Sequence, residues 1–280
     1  MSARALFFLL ALGVLAARLC HVEILWTEEG LPLAAAVQML HGKALYRDVW
    51  FDKPPLAPAV SLLWGALTGW PLRVAGAAYV LLCCWLAWMF ALRKWGPREA
   101  AWAAFFVAFF LTFWIPSAVM PLAADLLLVA PHLAAVWLAW RGRAFLSGVV
   151  AGVGLLVNAK AIFVVAACAL WACRGAPRFA LGLLLPNLLA VAWLWTTGSL
   201  GDYWRQVWQL GLLYSGHTFV ENPLREGFAR TLSWAGFHSA LVIPAAWFWW
   251  KDRDPGRWRF AVWAMLSLAA VAAGWRFFPR

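Results

Sequence analysis

The chain has 280 residues, 65% of them hydrophobic and 12% charged, with 23 Lys and Arg against 12 Asp and Glu. Ordinary globular domains run at roughly 45–50% apolar and about 25% charged. A soluble domain of this size has too little polar surface for that content, so composition predicts an all-α polytopic transmembrane helical bundle. The net charge of +11 is not a nucleic-acid footprint. The basic residues lie in short connectors between apolar runs, where the positive-inside rule puts them, and the 23 tryptophans suit rings anchored at headgroup level.

The five cysteines, Cys20, Cys83, Cys84, Cys168 and Cys173, fall inside or at the ends of apolar spans with no metal-ligand spacing. They read as small packing residues. Arg4 precedes the apolar run Ala5–Ala17, and the many later spans favour an uncleaved signal-anchor over a signal peptide.

In chain order, a first span at about Ala5–Val22 leads to a charged loop over residues 23–55. Within that loop, Leu31–His41 reads as a surface helix that Gly42 stops. Pro54-Pro55 marks the start of another helix. Apolar runs follow at about Leu56–Trp70, Arg73–Leu92, Ala100–Trp114, Leu122–Trp140, Phe145–Leu156, Ile162–Trp171, Phe179–Thr196, Leu232–Trp250 and Phe260–Ala273. Phe145–Leu156 and Ile162–Trp171 are short for a bilayer and flank Asn158 and Lys160. A polar stretch covers 198–230. The reading is one domain over 1–280 with about nine or ten membrane segments.

Basic clusters at Arg93–Arg98, Arg141/Arg143, Arg174/Arg178 and Lys251–Arg259 are expected on the cytoplasmic side. That leaves the 23–55 loop, Asp125, Lys160 and 198–230 outside. One gap breaks the parity. Two runs between the outer loop and Arg93 would return Arg93 to the outside, so either Leu56–Trp70 does not cross or Arg93-Lys94 departs from the rule.

The expected outer face gathers Glu28, Glu29, Asp48, Asp52, Lys53, Asp125 and Lys160. Carboxylates take a proton from an attacking hydroxyl or hold a divalent cation, and Lys and Arg bind phosphate. Plain structural readings stand beside these. Glu28 and Glu29 fit a solvated loop, Arg47 and Lys53 fit interface anchors, and Asp48 and Asp52 fit turn formers or partners of those cations. Asp125 fits a cap on Leu126–Trp140. Tyr203, Trp204, Arg205, Tyr214, His217, Glu221 and Arg225 make a mixed aromatic-polar surface.

Three spaced pieces carry a family resemblance: Trp26-Thr27-Glu28-Glu29-Gly30, then Gly42-Lys43-Ala44-Leu45-Tyr46-Arg47-Asp48-Val49, then Asp52-Lys53-Pro54-Pro55-Leu56. Together they resemble the first external loop of the GT-C glycosyltransferases, in particular the dolichyl-phosphate-mannose protein mannosyltransferases and bacterial aminoarabinose transferases. Asp125 resembles the family's second acidic site, and Asn158-Ala159-Lys160 resembles its lysine after a Gly-rich span, here Gly148–Gly154. Arg276-Phe277-Phe278-Pro279-Arg280 resembles an Arg-x-x-Pro-x-Tyr segment that the family follows with further spans. The resemblance therefore implies the N-terminal portion of a longer protein.

What the resemblance implies is inverting transfer of a sugar from a polyprenyl-phosphate carrier to a lipid, glycan or protein acceptor. The active face would lie on the extracytoplasmic side of a bacterial inner (plasma) membrane. Glu28 takes the base position, commonly aspartate in the family, and Glu29 assists. Asp125 is the second catalytic carboxylate. Lys53, with Arg47, Asp48 and Lys160, binds the carrier phosphate. No cofactor is expected, although a divalent metal at the acidic sites stays open. The alternative class is a transporter or a non-catalytic lipid-carrier-binding protein. A transporter calls for paired interrupted half-helices in two repeats, and the sequence has no such symmetry.

Overall fold

The computed structural model describes residues 2–114, 118–216, 221–251 and 253–272. The described chain is helical, apart from one two-residue antiparallel pairing of Phe113–Trp114 with Ala118–Val119. Residues Ala3–Leu19 form α1, with Ser2 capping through the Ala5 N–H at 3.2 Å.

Helix α2 spans Thr27–Leu40, not Leu31–His41, so Glu28 and Glu29 lie in its first turn rather than in a loop. Two acids there suit the positive end of the helix dipole. Pro32 lies inside α2, at a cost of about 3 kcal/mol for an interior proline. The earlier start is therefore imposed by tertiary contacts of Glu29 rather than by propensity. The other end follows the sequence: Gly42 takes φ +78°. The N–H groups of Gly42 and Lys43 bond the carbonyls of Met39 and Gln38 at 3.0 and 3.1 Å, a Schellman closure.

The Leu56–Trp70 run is not a span. It holds a four-residue α3 (Leu56–Ala59) and a five-residue 3-10 segment (Val60–Trp64), ended by Gly65 at φ +69°. These reach about 15 Å, half of a bilayer core. A segment this short takes one candidate crossing out of the expected count before Arg93. Helix α4 then runs Trp70–Lys94, 25 residues, and turns at Gly96 into α5 (Pro97–Thr112).

Helices α6 (Ala124–Trp140), α7 (Ala144–Val157), α8 (Ala161–Ala172) and α9 (Ala176–Thr196) follow. The polar stretch after residue 198 is helical as far as Gly216. It comprises α10 (Leu200–Tyr203), a π-turn (Trp204–Gln209) and α11 (Leu210–Gly216). The expected Leu232–Trp250 span is broken at His238 into α12 (Pro223–Phe237) and α13 (Ser239–Lys251). Helix α14 is Arg257–Ala272.

Two helical stretches are long and apolar enough to cross a membrane, Trp70–Lys94 and Ala161–Thr196; Ala124–Trp140 and Ala144–Val157 are shorter apolar helices. The second stretch is no straight rod. Gly154 sits against Ala161 and Gly175 against Ala144, so α8 runs back along α7 and α9 returns.

The closest helix contact joins α7 and α9. A Cβ on Gly148 would lie 2.1 Å from the Phe179 carbonyl oxygen, and one on Gly182 would lie 2.1 Å from that of Phe145. Backbone thus rests on backbone, as small residues allow. At one end of the bundle Phe90, Trp140, Trp171, Phe179, Phe260 and Trp263 pack together. At the other, Leu45, Tyr46, Phe51, Ala124, Leu194 and Tyr203 form a separate cluster.

Gly182→Val should lower stability by at least about 3 kcal/mol, since overpacking alone costs 1–3 and here the clash is with main chain. Gly201→Ala, with nothing within 4 Å, serves as the control. The check is the thermal midpoint in detergent; equal midpoints for the two variants would contradict the packing described.

Candidate functional site

The most deeply enclosed charges at the Tyr46 end form one buried ion pair. Glu29 and Arg73 are both fully buried, with Arg73 Nη2 2.8 Å from Glu29 Oε2 and Nη1 2.9 Å from Oε1. Glu29 Oε1 also accepts the Leu122 N–H at 2.8 Å. Arg73 donates to the Ile24 carbonyl at 2.6 Å and lies 4.5 Å from the Trp26 ring centre. Breaking such a pair by removing one partner costs about 3–5 kcal/mol. Glu29 is therefore enclosed by protein, and its bonds tie the start of α2 to Arg73 and Leu122. Glu28, the next residue around the helix, is half-buried and engaged in an interaction of its own.

The loop after α2 is folded by its own polar groups. Asp48 accepts the Ala44 N–H at 2.9 Å and pairs with Arg47 Nε at 3.0 Å. Arg47 Nη1 reaches the Thr197 carbonyl at 2.9 Å, tying the loop to the end of α9. Arg47 and the Ala44 amide hold the Asp48 carboxyl down at about 2, and Asp48 in turn raises the Arg47 guanidinium. Lys53 pairs with Asp52 at 2.8 Å, both partly exposed.

Tyr46 takes φ +70°, an uncommon conformation for a residue with a side chain. Tertiary bonds hold it there. Its hydroxyl donates to the Lys53 carbonyl at 2.7 Å, and its own carbonyl accepts Gln206 Nε2 at 2.8 Å. Gln206 Oε1 also accepts the Phe51 N–H at 2.9 Å. Burial pushes the Tyr46 phenol well above its usual value, which keeps it a donor.

Asp125 lies in the first turn of α6 behind the N-cap Ala123, so it is not the cap. Its Oδ1 accepts Asn158 Nδ2 at 2.8 Å and Lys160 Nζ at 3.2 Å, while Asn158 Oδ1 accepts the Lys160 N–H at 3.0 Å. Asp125 and Lys160, on separate helices, are thus brought together at the break between α7 and α8.

The expected site residues therefore form three groups at one end of the bundle: Glu28 beside the Glu29–Arg73 pair, the Arg47–Asp48 and Lys53–Asp52 pairs on the loop, and Asp125 with Lys160. Beside them lies a cavity of about 670 Å³ lined by Leu156, Asn187, Leu194, Trp195, Tyr203 and Trp204 among others. Tyr203 faces that cavity and also packs 5.1 Å from Tyr46. On the 198–230 surface, Arg205 is paired with Asp202 at 2.6 Å. The Tyr214 side chain, His217 and the segment Arg276–Arg280 lie outside the described residues.

Among the described residues no three His, Cys, Asp or Glu side chains gather as a donor set for a cation. Glu29 is taken by Arg73 and Leu122, and Asp125 by Asn158 and Lys160. Sequence reading missed Arg73, Arg18 and Gln206. Arg73 has a visible signal, as a lone cation entering a long apolar run, where an ionisable group needs a partner. Gln206 has none.

No protein family, no curated protein and no solved structure matches this chain.

Two predictions follow from the loop. A folded value below the ordinary 3.8 means the Asp48 pair contributes above about pH 4 and is lost as pH falls toward 2. Carboxyl NMR of labelled aspartate should find Asp48 titrating near 2, and Arg47→Ala should move it up toward 3.8. Gln206→Ala removes both bonds to the loop and should speed proteolytic cutting within 44–52 by roughly thirtyfold, since about 1 kcal/mol per bond, about 2 in all, is lost. An unchanged cutting rate would refute the stapling role.

Proposed function

We propose that this chain is a membrane-embedded glycosyltransferase of the GT-C kind, moving a sugar from a polyprenyl-phosphate carrier to an acceptor at the extracytoplasmic face of a bacterial inner membrane. The observation that carries the reading is the sorting of charge along the helix axes. Arg93, Lys94, Arg141, Arg143, Arg174, Arg178, Arg257 and Arg259 fall at the helix ends nearest the Phe90–Trp140–Phe260 cluster. Lys94 pairs with Asp254, joining the α4–α5 turn to the loop before α14. Glu28, Arg47, Asp48, Lys53, Asp125 and Lys160 gather at the opposite end. With α3 too short to cross, α1, α4, α5, α6, α7, α8, α9, the α12–α13 arm and α14 alternate direction with every basic turn on one side.

In this reading Glu28 accepts the proton of the acceptor hydroxyl as that oxygen attacks the anomeric carbon from the face opposite the phosphate. The glycosyl–phosphate bond breaks and the electron pair leaves on the phosphate, which gives inversion. Lys53, Arg47 and Lys160 stabilise the departing charge. Their present partners do not block this. Exposed pairs such as Lys53–Asp52 contribute only about 0–1 kcal/mol, so a phosphate of higher charge displaces the carboxylate. The apolar cavity under Trp195 and Trp204 suits the isoprenoid chain. Asp125 orients Lys160, and Glu29 holds α2.

Glu28→Gln should lower transfer from a radiolabelled polyprenyl-phosphate sugar by about 10²–10⁴-fold while leaving expression and insertion intact. Normal turnover would remove Glu28 from the role of base, and transmembrane flux without bond cleavage would favour transport. Sidedness has a built-in probe. Cys20 and Cys173 are exposed, while Cys83, Cys84 and Cys168 are buried. In intact spheroplasts an impermeant maleimide should label Cys20, and Cys173 only after permeabilisation. Equal labelling of both would overturn the orientation.

A further inference from the structure

The Glu29–Arg73 pair has a third, unbalanced member. Arg18, at the end of α1, is fully buried. Its Nη2 donates to the Met120 carbonyl at 2.9 Å and to that of Leu111 at 3.4 Å. Its Nε and Nη1 are buried without a hydrogen-bond partner, as is Arg73 Nε. The space for its guanidinium exists because residue 76 is glycine: a Cβ there would lie 2.5 Å from Arg18 Nη1. Two cations and one anion are thus enclosed together, a costly arrangement in a low-dielectric interior.

The bonds of this cluster go to backbone of different segments. Arg73 holds Ile24 before α2, Glu29 holds Leu122, and Arg18 holds Met120 and Leu111. Glu28 is the residue before Glu29. Asp125 lies three residues beyond Leu122, in the first turn of α6.

We infer that Arg18, Glu29 and Arg73 are positioning residues that register Glu28 against Asp125, locking two segments that are remote in sequence into one fixed geometry. For catalysis this rests on the glycosyl-transfer reading. The registration itself does not, because it concerns only the relative placement of two backbone segments. A displacement of about 1 Å in such a support costs on the order of 10²-fold in rate, and it acts on turnover rather than on carrier binding.

The test uses the full chain in lipid nanodiscs, with Cys20 and Cys173 replaced by Ser and spin labels at Thr27 and Ala123. A second pair at Leu146 and Leu181, on α7 and α9, is the control. Arg73→Gln should broaden the 27–123 distance distribution at least twofold and leave the control pair unchanged, and Arg73→Lys should recover part of the width. In transfer assays kcat should fall at least tenfold with KM for the carrier within about twofold. A 27–123 distribution unchanged in folded Arg73→Gln overturns the inference. If that variant does not fold, Gly76→Ala, which displaces Arg18 without removing a charge, gives the same reading, and an unchanged distribution there overturns it equally. Absence of transfer by the parent protein with broadening in the variants would refute the enzymatic reading and leave the registration standing.

Discussion

The fully buried Glu29–Arg73 pair is the constraint on which the acidic end of the molecule depends. Taking both ions out of water costs several kcal/mol each. Two parallel N–H···O bonds, the Leu122 amide, the Ile24 carbonyl and the Trp26 ring offset that cost. Once the pair is in place, α2 must begin at Thr27 despite Pro32, and the strand pairing after α5 must return to Leu122. Both carboxylate-bearing segments take their positions from it.

The opposite end is held by different physics. There the partners are aromatic rings, with Phe90 stacked 6.0 Å from Trp263 and Trp140 5.4 Å from Phe90. Of the cations at that end, Arg93 and Lys94 lie in the last turn of α4 and Arg141 caps the end of α6, where they complement the negative pole of the dipole; Arg143, Arg178 and Arg257 lie at helix starts, and Lys94 pairs with Asp254. Between the ends the bundle is held by close approach of backbones at Gly148 and Gly182. One end is specified by directional bonds between buried charges, and the other by shape and apolar area.

This division suits a surface that handles a charged ligand. The cations that face outward, Arg47, Lys53 and Lys160, hold partners in exposed pairs that open cheaply. The cations that face inward, Arg18 and Arg73, are committed to the fold. Glu28 and Glu29, adjacent in sequence, fall on opposite sides of that line. A helical step of about 100° separates a carboxylate sealed by protein from one that reaches toward the surface.

Helical class, the tryptophan-rich ends, the stop at Gly42 and the break around Asn158 were legible in the sequence because each follows from local chemistry: hydropathy, a glycine at positive φ, and polar residues between two short apolar runs. The local pairing of Arg47 with Asp48 and of Lys53 with Asp52 was legible for the same reason. For Leu56–Trp70 the sequence left open whether the run crosses. The true start of α2, the division at His238 and the burial of Glu29 were not legible. Each is decided by a partner far along the chain or by the summed geometry of several helices. Sequence by itself determined the charged groups that this protein has and the apolar bundle that carries them. Tertiary structure alone decided which of those charges are enclosed in the fold and which stay near its surface, because the identity of a buried partner, such as Arg73 for Glu29, is not written in the residues beside it.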